Sequence, residues 1–267
     1  MSVIETYLFP VLVFAGLGLL AAVLLTYASK VFAVETDERV EQVNEALPQA
    51  NCGACGFSGC ADYAAAIVAG KAELNLCRPG GSDAAKKIGG IMGKDAGSVE
   101  PSVAVVLCSG DCNATGSKYI FQGYPSCAAA NRFYNGSETC THGCLGFGDC
   151  TRVCMNDAIR VVDGLARVDK TKCAGCGLCV KECPNSLIVV KKLSNLVDVR
   201  CSSTDPGKMV RTICKSGCIG CKICEKKCEA GAIKVENNIA RIDYSKCTSC
   251  GKCAEACPQK VITRCDA

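Results

Sequence analysis

"CTSCGKCAEACP", residues Cys247 to Pro258, and "CAGCGLCVKECP", residues Cys173 to Pro184, decide how this chain is to be read. Each has the spacing Cys-x2-Cys-x2-Cys-x3-Cys-Pro, that of the bacterial ferredoxin run. In such a run the first three thiolates cap one [4Fe-4S] cubane and the fourth turns away to a second cluster. Zinc ribbons instead pair Cys-x2-Cys elements across a longer loop.

Moving outward from these runs, a repeat emerges. Shifted by 74 residues, Cys144, Cys150, Cys154, Cys173, Cys176, Cys179 and Cys183 fall on Cys218, Cys224, Cys228, Cys247, Cys250, Cys253 and Cys257. Between them "AIRVVDGLARVDKTKC" lies over "AIKVENNIARIDYSKC", whose β-prone arms around Asp163-Gly164 and Asn237-Asn238 predict hairpins. Crossed ligation then assigns Cys218, Cys221, Cys224 and Cys257 to one cluster and Cys228, Cys247, Cys250 and Cys253 to its neighbour. The earlier copy yields Cys154, Cys173, Cys176 and Cys179 by the same rule.

Its remaining cluster departs from the pattern, because Phe147 stands where the shift requires a partner for Cys221. Two readings are open. Cys140 moves in, making the set Cys140, Cys144, Cys150 and Cys183, or three cysteines hold a three-iron centre. Cys140 itself shifts onto Cys214, and Cys127 onto Cys201. The surplus is Cys108, Cys112, Cys127, Cys201, Cys214 and Cys265. "VAVVLCSGDC" reads as a strand entering a turn, so a sixth centre built on Cys108, Cys112 and Cys127 stands beside the alternative of buried free thiols acting as small hydrophobes.

Upstream, "NCGACGFSGC" with Cys77 supplies a further set, Cys52, Cys55, Cys60 and Cys77. Interleaved glycines let the backbone curl round a bulky inorganic core and aim its amides at the sulfurs. A short amphipathic helix over residues 35–47, with Val40, Val43 and Leu47 on one face, leads to it, and a helix over residues 62–69 follows. Before that, residues 7–28 are uncharged; 22 residues span about 33 Å, enough for a hydrocarbon core of about 30 Å. With no basic segment ahead of it and too great a length for a signal core, this run reads as a retained transmembrane helix. Lys30 is the first basic side chain, which orients the long C-terminal part to the cytoplasm. Ala15, Gly16, Gly18, Ala21 and Ala22 form a small-residue face suited to a partner helix.

Composition agrees. Twenty-six cysteines in 267 residues, mostly in tight runs, favour metal centres over a disulfide framework. From Gly164 onward 19 Lys and Arg face 10 Asp and Glu, net +9 in a chain of net +4. Trp is absent and the lysines are interleaved with cysteines, so no nucleic-acid site is expected; offset by anionic clusters, the excess suits an acidic redox partner or a solvated face. No phosphate-binding glycine motif stands between a strand and a helix, so neither an NAD nor a flavin site is expected. His142, the single histidine, is read as a hydrogen-bonding group, and no acid–base or nucleophilic constellation appears.

The order of parts, one N-terminal span, a Cys-x2-Cys-x4-Cys-x16-Cys motif and then ferredoxin runs, resembles the B-subunit family of the Rnf complex, most specifically in "NCGACGFSGC", "CTHGCLGFGDC" and the two full runs. The resemblance implies an electron relay from reduced ferredoxin, through [4Fe-4S] clusters, to membrane and peripheral partner subunits and finally NAD, coupled to Na+ or H+ export across the cytoplasmic (inner) membrane. The whole expectation is an α+β chain: transmembrane helix 1–29, small helical [4Fe-4S] domain 30–95, cysteine-containing connector 96–139, ferredoxin-like modules 140–193 and 214–267, and a linker 194–213. Five clusters are expected, or six. A polyferredoxin of another membrane hydrogenase or dehydrogenase and a zinc-binding adaptor are the rival readings.

Overall fold

The computed structural model describes residues 3–31 and 37–264. Cys265 and the expected start of the amphipathic helix at residue 35 lie outside the described residues. Helix α1 (Val3–Val31) contains a stretch, Val11–Lys30, that is not buried against any of the described residues. Its 20 residues span about 30 Å, long and apolar enough to cross a bilayer.

Three helices then enclose a small core. Helix α2 (Glu38–Ala46) starts at Asp37, whose carboxylate accepts from the Arg39 amide at 3.0 Å. Helix α3 is Cys60–Val68 and α4 is Gly81–Met92. Val43, Leu47, Tyr63, Ala64, Ile67 and Ile88 pack between them. Tyr63 donates to the Glu73 carbonyl at 2.7 Å and accepts from the Leu76 amide at 3.1 Å, holding the loop that delivers Cys77. Helix α4 is a feature the sequence reading did not anticipate, its glycines obscuring the pattern. Gly89 is required there, since a Cβ would lie 2.6 Å from the Lys94 carbonyl oxygen.

Two similar units follow. In the first, β1 (Ser102–Val106) leads through α5 (Cys127–Asn131) and α6 (Asp149–Arg152) to the hairpin β2 (Ile159–Val162) and β3 (Leu165–Val168), then α7 (Leu178–Glu182) and β4 (Ile188–Lys192). Strand β4 returns antiparallel to β1, Ser102 opposite Lys192 and Val106 opposite Ile188. In the second, β5 (Val197–Val199), α8 (Gly207–Ile213), α9 (Ile223–Lys227), the hairpin β6 (Ile233–Glu236) and β7 (Ile239–Ile242), α10 (Lys252–Glu255) and β8 (Ile262–Arg264) repeat the plan, with β5 antiparallel to β8. The hairpin turns fall where expected: Asp163 and Gly164 (φ 52° and 74°), and Asn237 and Asn238 (φ 48° and 64°), adopt the paired left-handed conformation of a type I′ turn.

Both units thus begin upstream of the expected boundaries at 140 and 214. The stretches read as connectors, 96–139 and 194–213, carry β1 and β5, which close the sheets. Strand β1 was legible in "VAVVLCSGDC", but its pairing, like that of β5, was not, because the partner strand comes only at the far end of the unit. The units are also joined to each other. Ser202 donates to the Leu107 carbonyl at 3.0 Å, Thr115 to the Ile213 carbonyl at 2.9 Å, and the Lys215 amide to the Ala114 carbonyl at 2.8 Å. Lys191 of β4 pairs with Asp198 of β5 at 2.6 Å with both side chains buried, and Tyr244 donates to the same carboxylate at 3.0 Å.

Candidate metal centres

In each unit short helical turns sort the cysteines. The third cysteine of a run lies inside a one-turn helix and is buried: Cys150, Cys179, Cys224 and Cys253 in α6, α7, α9 and α10. Each of these helices begins after a residue with positive φ, Gly148, Gly177, Lys222 or Gly251, which reverses the chain just before it. The fourth cysteine follows the turn and leaves in another direction, Cys183 and Cys228 with extended backbone at the caps of α7 and α9.

As a result Cys218, Cys221, Cys224 and Cys257 line one cavity of about 330 Å³, and Cys228, Cys247, Cys250 and Cys253 line another of about 820 Å³. In the first unit Cys154, Cys173, Cys176 and Cys179 surround about 800 Å³. Backbone amides point at the sulfurs. Ala158 donates to Cys154, Leu187 to Cys183, Ala232 to Cys228 and Ala104 to Cys173, each at 3.3 Å. Burial pushes the thiols of Cys179 and Cys224 up to about 12 and about 11, and the neighbouring cysteines add to it. Their ligand form, the thiolate, therefore needs a cation in the cavity.

Where the counterpart of Cys221 is lacking, the structure places Cys127, and not the expected Cys140, with Cys144, Cys150 and Cys183. Cys127, Cys144, Cys150 and Cys183 line a cavity of about 410 Å³, while Cys140 faces a different one. Phe147 packs instead against Phe121, with ring centroids 5.5 Å apart, beside Leu145 and Ala130. Asp149 draws Cys127 in. Its buried carboxylate accepts from Ser126 Oγ at 2.8 Å and from the Ala128 amide at 3.0 Å, gripping the chain on both sides of Cys127, and pairs with Arg152 at 2.9 Å. Burial alone would raise the Asp149 carboxyl, but the bonds from Ala128 and Ser126 hold it below its ordinary value. The residue 74 positions on is Ile223, so this anchor exists in one unit alone.

In the helical domain Cys55, Cys60 and Cys77 pack in one core, and the Cys77 thiol is raised, first by burial and then by the nearby Cys60, Cys52 and Cys55. The Asn51 side-chain oxygen accepts from the Cys60 amide at 2.8 Å, and a Cβ on Gly59 would come within 2.9 Å of that oxygen. Gly53 and Gly56 have φ of 67° and 90°, the conformations for which glycine was expected. Lys181 reaches across from the first unit to the Cys52 carbonyl at 3.1 Å.

The grouping of Cys108, Cys112 and Cys127 does not occur. Cys127 lines the cavity just described and Cys108 another, and Cys112 lines neither. Cys108 instead shares a cavity of about 440 Å³ with Cys140, Cys201 and Cys214. His142 lines it too, its Nε2 3.7 Å from Asp205. Sequence reasoning missed this group and the roles of Cys127 and Asp149. The common 74-residue offset of Cys140 and Cys214 was the available signal that they belong together.

These features define a class, an iron–sulfur protein with 4Fe-4S domains and one apolar N-terminal helix. Family profiles match three segments: residues 47–79 match one described as "Putative Fe-S cluster", and 165–188 and 240–263 match profiles described as "4Fe-4S binding domain". Similarity to curated proteins extends along nearly the whole chain. It is 44% identical to the B subunit of the Na(+)-translocating ferredoxin:NAD(+) oxidoreductase complex of Acetobacterium woodii, covering 97% of this chain and 78% of that protein. It is 42% identical to the B subunit of the ion-translocating oxidoreductase complex of Methanosarcina acetivorans (94% and 95%), and 39% to the B subunit of the proton-translocating ferredoxin:NAD(+) oxidoreductase complex of Clostridium ljungdahlii (97% and 92%). The chain belongs to this family, the B subunits of ion-translocating oxidoreductase complexes.

Proposed function

We propose that this chain is the electron relay of its complex, taking electrons from reduced ferredoxin through two tandem ferredoxin modules and passing them to membrane and peripheral partner subunits, ultimately to NAD. Five [4Fe-4S] clusters are assigned to Cys52, Cys55, Cys60 and Cys77; Cys127, Cys144, Cys150 and Cys183; Cys154, Cys173, Cys176 and Cys179; Cys218, Cys221, Cys224 and Cys257; and Cys228, Cys247, Cys250 and Cys253. Bound there, such clusters accept and release single electrons. The chain's own part is to supply thiolates, to aim amides at the sulfurs and to exclude water with packed apolar side chains.

The observation that carries the reading is that three of the thiol sets adjoin one another in series, the Cys52 set meeting the first unit through Lys181 beside Cys179, and Cys179 packing in one core with Cys150. Cys52 lies close enough to Cys176 to bear on its thiol, and Cys179 on Cys150. The helical domain at one end of this series directly follows α1, which supports an exit at the membrane and entry from the second module, whose lysines Lys222, Lys226, Lys227 and Lys252 suit an acidic donor. The basic residue after the span, Lys30, supports placing these domains in the cytoplasm. Iron is favoured over zinc by the two Cys-x2-Cys-x2-Cys-x3-Cys-Pro runs and by the 4Fe-4S profiles that the segments around them match. The test is anaerobic purification of the full chain with iron, acid-labile sulfide and zinc analysis, followed by EPR during titration with reduced ferredoxin. A brown protein whose clusters are reduced by ferredoxin is expected; stoichiometric zinc with little iron would overturn the reading.

A further inference from the structure

We propose that Cys108, Cys140, Cys201 and Cys214 hold a further [4Fe-4S] cluster at the junction of the two units, the link that carries electrons from one to the other. The proposal rests on the relay reading above.

The four thiols are buried and free of disulfides, and they surround about 440 Å³. As in the two adjoining sets, the thiols line one shared pocket. Each unit contributes two thiols from matching places. Cys108 and Cys201 each stand two residues beyond the first strand of their unit, β1 ending at Val106 and β5 at Val199. Cys140 and Cys214 are 74 residues apart, and each precedes the first cysteine of its run, Cys144 or Cys218, by four. The site thus draws two thiols from each unit and exists only when both units are docked.

Its surroundings are those of ligands rather than of packing hydrophobes. Cys108 accepts from the Gly110 amide at 3.4 Å and Cys201 from the Cys218 amide at 3.3 Å, as ligand cysteines do elsewhere in the chain. A Cβ on Gly110 would sit 3.3 Å from Cys214 Sγ and 3.7 Å from Cys108 Sγ, so glycine brings the backbone between two sulfurs from different units.

Position completes the case. Cys144, of the set Cys127, Cys144, Cys150 and Cys183, lines this same cavity, and the amide bonded to Cys201 is that of Cys218, of the next set. The site therefore lies between one ligand set of each unit. A cluster held there would take one electron from the cluster on Cys218, Cys221, Cys224 and Cys257 and hand the same electron to the one on Cys127, Cys144, Cys150 and Cys183. No proton or bond is exchanged.

The experiment uses the anaerobic full chain. Six cubanes predict about 24 iron and 24 sulfide, against about 20 for five. Cys201→Ser with Cys214→Ser should lose about four of each, one sixth of the total, and in the wild type the four thiols should resist alkylation until the clusters are stripped. Should the double variant fail to fold, wild-type iron content and thiol protection still decide. About 20 iron, with these four cysteines freely alkylated, joined as disulfides or holding one zinc, would overturn the junction cluster while leaving the five-cluster relay standing. Loss of iron throughout, with zinc in its place, would instead overturn the relay.

Discussion

Asp149→Ala should release the arm that delivers Cys127, and with it one specific cluster. The Asp149 carboxylate is buried and accepts from Ser126 Oγ and the Ala128 amide, the residues on either side of Cys127. A hydrogen bond to a charged group contributes about 1.5–3 kcal/mol. The third partner, Arg152, is about half exposed (48%) and adds little. The two bonds to the arm, discounted because they act together, set a scale of about 3 kcal/mol, roughly a hundredfold in the balance between held and released Cys127. The cluster on Cys127, Cys144, Cys150 and Cys183 should then lose iron to a chelator far faster than the others, passing through a three-iron form held by the remaining three thiolates. Iron release under anaerobic conditions, with EPR of the residual protein, measures this. Asp149→Asn, which keeps an acceptor, should fall between. Ile223→Ala, at the equivalent position of the second unit, should leave chelator release unchanged. If Asp149→Ala keeps all its iron and releases it at the wild-type rate, the anchor has been misassigned.

Cys127→Ala should give the same three-iron signal, whereas Cys140→Ala should leave that cluster intact; magnetic spectra of the two variants separate Cys127 from Cys140 as the ligand. The Asp149 carboxyl is held below the ordinary Asp value of about 3.9. Its stabilisation is therefore full above that pH and lost as pH falls through the lower folded value, so the stability gap between wild type and Asp149→Ala should be flat from neutral pH and close only below about pH 4, as read by the folding transition of the cluster-free chain. Asp198→Ala leaves Lys191 buried and without its carboxylate at the junction of the units, which should cost about 3–5 kcal/mol in denaturant unfolding, while replacing both with apolar residues of similar volume should recover most of it. Removing residues 1–36 should yield a soluble brown protein still reduced by ferredoxin but no longer retained by membranes; membrane retention of the truncated chain would show that α1 is not the anchor.

How far the sequence reached depended on how local each ligand set is. Cys173, Cys176 and Cys179, or Cys247, Cys250 and Cys253, are joined by two-residue intervals, and so short a tether leaves the thiols one way to face a common centre. The 74-residue repeat, the two hairpins and the glycine-flanked motif at Cys52, Cys55 and Cys60 were legible for the same reason. Spacing could not choose between Cys127 and Cys140. Cys127 is 17 residues from Cys144, across an arm whose course is set by the buried carboxylate of Asp149, and Cys140, four residues away, is turned elsewhere by the second unit. Cys201 and Cys214 meet Cys108 and Cys140 only because β1 closes on β4, β5 closes on β8, and the Lys191–Asp198 pair docks the two units. Contacts separated by about a hundred residues leave no periodicity in a sequence, so the chain by itself determined the thiol groups built on closely spaced runs, and tertiary packing alone decided which remaining thiols come together.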